Sequence, residues 1–280
     1  MKKIKETKKT GLGLNTFKAR GIVLREYEAG ESDKRLVLLC KEHGRLMVYA
    51  KGARKPKSKL LAASQLFTYG DYILADGRQF YSVTQAEVIE TFYSIGSNYE
   101  KLCHGQYLLE ICEKIILGHI SCDDLLLLLL KSLQNLSQDK NTPLQVVCVF
   151  LFRFFLFCGL APEMSSCCLC GSSYENFADN SQLARFSENT VTKKIAENNK
   201  ISWTFCNEGI LCPRCSKKPG MVKMSLSADT VAAIRYILHS DVNRSFMFRA
   251  SNDVLAELIQ AARVCWRGHF QVAIKSEELL

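Results

Sequence analysis

The run Ala19-Arg20-Gly21-Ile22-Val23-Leu24-Arg25-Glu26, the turn residues Ala29-Gly30-Glu31-Ser32-Asp33 and a second apolar run from Arg35 to Cys40 decide the reading of the N-terminal region. Branched aliphatic side chains suit a half-buried pleated surface, and the Gly- and Asp-bearing break between the runs suits a hairpin. The pattern continues along the chain. Glu42-His43-Gly44 precedes a run from Leu46 to Ala50, and runs from Leu66 to Ala75 and Phe80 to Glu90 flank Asp76-Gly77-Arg78. Five short strands separated by turn signals predict a small closed barrel over residues 16–92, of the OB type.

After the third of these strands comes Lys51-Gly52-Ala53-Arg54-Lys55-Pro56-Lys57-Ser58-Lys59-Leu60, with five cations in nine residues, broken by Gly and Pro. The whole chain of 280 residues has a formal net charge of +9, and its distribution is uneven. Residues 1–60 hold 17 Lys+Arg against 6 Asp+Glu, whereas the other 220 hold 20 against 22. The positive charge thus belongs to one end, as expected when one module binds a polyanion. Part of it lies in residues 1–15, a lysine-rich stretch with almost no apolar anchor that reads as a mobile basic arm.

OB barrels hold single-stranded nucleic acid by combining a cationic groove with aromatic rings on which bases stack. The candidate contacts are Lys18, Arg20, Arg25, Lys34, Arg35, Lys51, Arg54, Lys55, Lys57 and Lys59. Tyr27, Tyr49, Tyr69 and Tyr81 are possible stacking residues, with core or cross-strand packing as the competing role. Five phosphate contacts on a single strand would give log affinity a slope of about −3.5 against log salt.

Beyond Tyr93 the apolar period changes to that of helices. Tyr99 to Leu117, Asp123 to Leu136 and Pro143 to Leu160 read as helices, the last with Pro in its first turn. Ser227 to Ser240 and Ser251 to Phe270 are two more, each opening on a serine suited to cap the helix. The assignment is a helical domain in two parts, residues 93–162 and 223–280, split by an irregular insert at residues 163–222. Val146 to Ala161 is strongly apolar but shorter than the roughly 20 residues a bilayer requires, and Arg153 interrupts it. It reads as a buried helix, and no membrane partner is expected. No apolar stretch follows the N-terminal charges, so a secretory leader is not expected either.

The insert carries Cys167-x2-Cys170 and Cys212-x2-Cys215, each pair at a turn marked by Gly171 or Pro213. Two such turns can offer four thiolates to one ion, and four sulfurs in a tetrahedron is the usual structural zinc site. The 41 residues between the pairs exceed a compact zinc ribbon. They should fold back as a hairpin using Ala184-Arg185-Phe186 and Ile201-Ser202-Trp203-Thr204-Phe205. Cys168 and Cys206 read as non-ligands. The remaining thiols (Cys40, Cys103, Cys112, Cys122, Cys148, Cys158, Cys265) lie in apolar runs and read as small buried hydrophobes in a reducing compartment. Four thiolates leave no open position for a catalytic water, and none of the five histidines begins the H-x-E of a zinc deaminase. A redox role for Cys212-Pro213-Arg214-Cys215 would need a βαβ context that is absent from the pattern.

Lys18-Ala19-Arg20-Gly21-Ile22-Val23-Leu24 with Glu31-Ser32-Asp33-Lys34, the segment Lys51 to Leu60 followed by Leu66-Phe67, and the two cysteine pairs with Gly209-Ile210-Leu211 before the second together resemble the bacterial RecO family. The resemblance covers residues 16 to 270, with barrel, helices, cysteine insert and helices in the same order. It departs at Gly209-Ile210, where the family commonly has Gly-Gly. The resemblance implies a non-enzymatic mediator of DNA repair and recombination that binds single- and double-stranded DNA and anneals complementary strands. It also implies binding to the C-terminal tail of the single-strand-binding protein, joint action with RecR in loading RecA on covered gaps, and a cytoplasmic, nucleoid-associated location. The residues alone leave open an RNA- or ribosome-associated barrel with a structural zinc knuckle.

Overall fold

The computed structural model describes residues 8–9, 15–77, 80–116, 118, 121–173 and 202–279. The chain falls into two compact units, Met1–Lys140 with Ala273–Leu280, and Asn141–Val272.

The first unit is built on strands β1 (Lys8–Lys9), β2 (Asn15–Ala29), β3 (Asp33–Cys40), β4 (Gly44–Ala50), β5 (Tyr69–Ala75) and β6 (Tyr81–Glu90). Their order is β1-β2-β3-β4-β6-β5, and β5 pairs again with β2, so the sheet closes on itself. All neighbours are antiparallel except β4 and β6, which meet in parallel at Val48–Tyr81 and Tyr49–Ser82. β2 can serve both β5 and β3 because it is long, and a register shift between Val23 and Arg25 marks an irregularity of the kind that bends a strand.

Gly21 and Gly70 face each other across the closing β2–β5 seam. A Cβ at either would lie 2.5 Å from a neighbouring carbonyl oxygen, that of Leu39 or Glu87, so glycine is what admits the close approach. Alternate residues of β3 and β4 (Leu36, Leu38, Cys40; Leu46, Val48, Ala50) fill the interior with Ala19, Val23, Tyr72, Leu74 and Val83. The fourth predicted strand begins later than expected. Phe67 has φ 66°, in the left-handed region, and the Thr68 amide closes a turn onto Gln65, so Leu66 to Thr68 lead into β5 without belonging to it.

Among the described residues the α-helices of this unit are α1 (Tyr93–Gly96), α2 (Tyr99–Ile115) and α3 (Asp123–Ser137). Asn98 caps α2 by accepting from the Lys101 amide at 3.0 Å. On α2, the buried Glu110 carboxylate accepts from the Lys275 amide (3.0 Å), the Ser276 amide (2.8 Å) and the Ser276 hydroxyl (2.5 Å). It also pairs with Lys114 at 2.7 Å, and so clasps the C-terminal segment to the helix.

The second unit contains α4 (Pro143–Phe157), strands β7 (Ser202–Cys206), β8 (Gly209–Leu211) and β9 (Met224–Ser227), and helices α5 (Ala228–His239) and α6 (Asn252–His269). Thr142, Ser227 and Ser251 cap α4, α5 and α6 through their hydroxyls, the last two as expected. Phe150, Phe152, Phe154 and Phe155 of α4 are fully buried, and Phe154 and Phe155 lie against Trp266 and Phe270 with ring centroids 6.1–6.4 Å apart. Arg153 turns away from this cluster. Its guanidinium donates to the Ser240 carbonyl at 2.6 Å, with those of Ile237 and Leu238 at 3.4 Å, closing the C-terminal end of α5. Among the described residues no helix is long and apolar enough to cross a membrane.

Candidate functional site

β7 is the middle strand of a three-stranded sheet, β8-β7-β9. It pairs with β8 and β9, while Ala184-Arg185-Phe186 lies outside the described residues. The two cysteine turns meet through backbone bonds along β8. The Glu163 amide donates to the Glu208 carbonyl (2.8 Å), the Ile210 amide to the Glu163 carbonyl (3.0 Å) and the Cys168 amide to the Ile210 carbonyl (3.0 Å), which lays residues 163–168 along β8. Gly209 makes this possible: its φ is +137°, and a Cβ there would lie 2.1 Å from the Glu163 carbonyl oxygen. The next position imposes no such demand, and Ile210 is fully buried in the core instead of glycine.

As a result the sulfurs of Cys167, Cys170, Cys212 and Cys215 lie within 4.8 Å of one another. The Cys170–Cys212 separation is 3.7 Å. Tetrahedral zinc with Zn–S of about 2.3 Å places its sulfurs about 3.8 Å apart. Amide groups point at the same sulfurs, Cys212 N at Cys167 Sγ (3.3 Å) and Cys215 N at Cys212 Sγ (3.5 Å), as suits sulfur in its anionic form. The Ser172 hydroxyl and amide draw the Cys170 thiol down to about 6, while burial and the neighbouring thiols push Cys215 up to about 12. Four sulfurs this close share protons when no cation is bound, and a divalent ion would remove that conflict by taking all four as thiolates. The set fits a metal that prefers sulfur in a tetrahedron. Cys168 and Cys206 are not among these four but pack beside them as a pair, 3.6 Å from sulfur to sulfur.

The apolar-run thiols are buried, apart from the half-buried Cys158. Burial pushes Cys40 and Cys148 up to about 12, which keeps them protonated and unreactive.

The ten cations singled out from the sequence divide into distinct groups. Lys18 (2.8 Å) and Arg20 (2.6 Å) share the Asp71 carboxylate, whose pKa the Arg20 guanidinium holds well below the usual range. Arg25 pairs with Glu113 at 3.0 Å. Lys34, only 8% exposed, pairs with Glu26 at 2.5 Å. Arg54 pairs with Glu28 at 3.0 Å. Arg35 lies over the Tyr27 ring at 5.6 Å, and Arg25 lies 6.0 Å from the same ring. Lys51, Lys55, Lys57 and Lys59 are exposed, and none is in an ion pair among the described residues. Of the basic arm, Lys8 and Lys9 pair with β2 and Asn15 begins that strand, while residues 1–7 and 10–14 lie outside the described residues.

The loop that carries these lysines is anchored at its base. Asp33 accepts from the Gly52 amide (2.6 Å), the Tyr49 hydroxyl (2.5 Å) and the Ser32 hydroxyl (3.1 Å), and the Arg54 amide donates to the Ser32 carbonyl (2.9 Å). The hydrogen bond from Tyr49 and that from Gly52 lower the pKa of Asp33. Successive turns follow, with Lys55 N bonded to Gly52 O, Ser58 N to Lys55 O and Leu61 N to Ser58 O. Ala53 and Ala63 are buried in the sheet interior and Leu60 packs against it. The loop is thus a structured cap that holds lysines outward and alanines inward. Asp33 was absent from the sequence-predicted site. The signal for it was its place in Glu31-Ser32-Asp33-Lys34, at the turn between two strands.

The tyrosines are largely committed within the protein. Tyr49 is bonded to Asp33, Tyr81 packs edge-on against Phe17 at 5.0 Å, and the Tyr27 hydroxyl donates to Glu113 at 3.3 Å.

Comparison with known proteins agrees with this arrangement. The family described as "Recombination protein O N terminal" matches residues 14–92, and "Recombination protein O C terminal" matches residues 96–278. The chain is 35% identical over 246 residues, 88% of each chain, to the DNA repair protein RecO of Acetivibrio thermocellus. It is 25% identical over 265 residues to that of Symbiobacterium thermophilum, covering 94% of this chain and 96% of the relative. The corresponding protein of Alkaliphilus metalliredigens is 28% identical over 254 residues, with 87% and 92% covered. With a strand-rich N-terminal domain, a helical domain after it and four cysteines placed to hold a metal ion, the chain belongs to the RecO family of DNA repair and recombination proteins.

Proposed function

We propose that the chain is a non-enzymatic mediator that binds single- and double-stranded DNA, anneals complementary strands and helps to load RecA on gaps coated by the single-strand-binding protein. In this reading it acts in the cytoplasm with RecR and with the C-terminal tail of the single-strand-binding protein. The observation that carries the DNA-binding part is the anchored loop with Lys51, Lys55, Lys57 and Lys59 exposed and outside the ion pairs of the described residues. Annealing requires no nucleophile. A surface that offsets repulsion between two phosphate backbones is sufficient. The order of strand pairing, with one parallel contact and closure of β5 onto β2, supports an OB-type barrel at residues 16–92 as the DNA-binding domain. The helical parts, residues 93–162 and 223–280, would carry protein partners.

Arg25, Arg35 and Arg54 are assigned secondary roles, since each is engaged by an internal carboxylate or ring. Four lysine contacts on a single strand predict a salt slope of about −2.8. Annealing of complementary strands coated with the single-strand-binding protein, measured with a fluorescence pair at several salt concentrations, tests the reading. Salt-insensitive binding, or absence of annealing, would refute it.

We also propose that the ion held by Cys167, Cys170, Cys212 and Cys215 is one structural zinc, with residues 163–222 as its insert. The ion would fix the two turns together and supply no reaction step. Metal analysis of the purified protein should give one zinc per chain. Cys212→Ser should lose the zinc and the folded state of the second unit together, since structural zinc sites contribute roughly 10–16 kcal/mol of apparent binding energy.

A further inference from the structure

The second unit holds a thiol pair that the metal set does not use. Cys168 sits between the ligand positions Cys167 and Cys170, and Cys206 ends β7, with 37 residues between the two. Their sulfurs are 3.6 Å apart. Backbone bonds fix both partners: the Cys168 amide donates to Ile210, and Cys206 is in register with Gly209 across the β7–β8 pair. Cys168 is half-buried and Cys206 is buried, so one member of the pair is open to a small solute and the other waits behind it.

We propose that Cys168 and Cys206 form an oxidative modification site, where a peroxide converts the two thiols to a disulfide that ties the first cysteine turn to the β7–β8 hairpin and leaves the four ligand sulfurs untouched. The Cys168 sulfur attacks one peroxide oxygen and the O–O bond breaks. The departing hydroxide takes up the thiol proton as water, and Cys168 becomes a sulfenic acid. The Cys206 sulfur then attacks the Cys168 sulfur. The S–S bond forms, the S–O bond breaks, and the second water leaves with the Cys206 proton. In sum, two thiols and one hydrogen peroxide give one disulfide and two waters. Bonding distance is about 2.05 Å, so the two sulfurs, 3.6 Å apart, must close about 1.5 Å between them. The connection adds a covalent bond where backbone pairing already holds the two segments, so strand pairing has no need to change.

The test uses the full-length protein as purified, treated with one equivalent of hydrogen peroxide and mapped by peptide mass spectrometry without reduction. The expected result is a linked pair of peptides containing Cys168 and Cys206, a fall of two titratable thiols per chain and an unchanged metal content. A disulfide from either cysteine to any other, release of metal in step with oxidation, or recovery of both as free thiols would overturn the proposal. Cys168→Ser should leave Cys206 reduced under the same treatment. If that variant does not fold, Cys206→Ala gives the reciprocal test, and the mapping of the unmodified chain depends on neither.

Discussion

The cations on the strand walls of the first unit and those on its loop are similar in number but differ in what holds them. Lys18 and Arg20 share Asp71, Arg25 rests on Glu113, and Lys34 is buried on Glu26. Lys51, Lys55, Lys57 and Lys59 are exposed on a loop whose base is fixed by Asp33. A paired cation must give up a carboxylate before it can meet a phosphate, and the released carboxylate then repels the same ligand. The affinity of a surface for a polyanion is therefore set by the charge it has available, and the loop has more of it.

Neutralising the loop is the strongest way to challenge this contrast. Replacing Lys51, Lys55, Lys57 and Lys59 with alanine should lower single-strand affinity at about 0.1 M salt by two to three orders of magnitude and reduce the salt slope by about 3. Fluorescence anisotropy across a salt series measures both. An equally large loss from Lys18→Ala with Arg20→Ala would erase the distinction.

The converse change sharpens it. Asp71→Asn frees two cations at once, and binding should tighten by about five- to tenfold with a slope steeper by about 1. Unchanged binding would mean that this wall lies off the DNA path. Lys34→Met separates charge from stability. Its single-strand affinity should stay within about twofold of the unmodified chain, while urea unfolding should show a loss of about 1–3 kcal/mol, because Glu26 is left without its partner in a half-buried setting.

The smallest effect concerns pH. Hydrogen bonding from Arg20 depresses the pKa of Asp71, so its stabilising pair is complete above the unfolded carboxylate value of about 4 and is lost only as pH falls through the lower folded value. Single-strand affinity measured from pH 5 to 8 at fixed salt should therefore be flat. Glu110 follows the same sign. Burial opposes its ionisation, but hydrogen bonds from Lys114 and Ser276 hold it at about 2. Its clasp on the C-terminal segment should persist above about pH 4 and release toward pH 2, read as faster exchange of the Ser276 amide.

The metal set was legible because its information is local. Each Cys-x2-Cys turn presents two sulfurs whatever lies between the turns, so the ligands are readable even though the expected Ala184–Phe186 partner for β7 lies outside the described residues. The pairing of Cys168 with Cys206 was not legible, since it depends on how residues 163–168 lie along β8. Among the cations, the lysines of the Gly- and Pro-broken loop are exposed. Lys18, Arg20 and Lys34 looked equivalent to them in the sequence and are not. Their partners Asp71 and Glu26 come from strand pairing, in which Arg20 and Asp71 are opposed on β2 and β5, 51 residues apart.

By itself the sequence determined the alternation of strands and helices, the serine caps of α5 and α6, the four cysteines that could hold a metal ion and the basic loop, because spacing within a few residues controls each of these. Tertiary structure alone decided that β5 closes onto β2, that Gly209 lets the two cysteine turns meet, that Asp33 roots the loop, and which cations remain available. The physical reason is range: periodicity and turn chemistry act along the chain, whereas a carboxylate cancels a cation, and a sulfur meets a sulfur, only once distant segments share a surface.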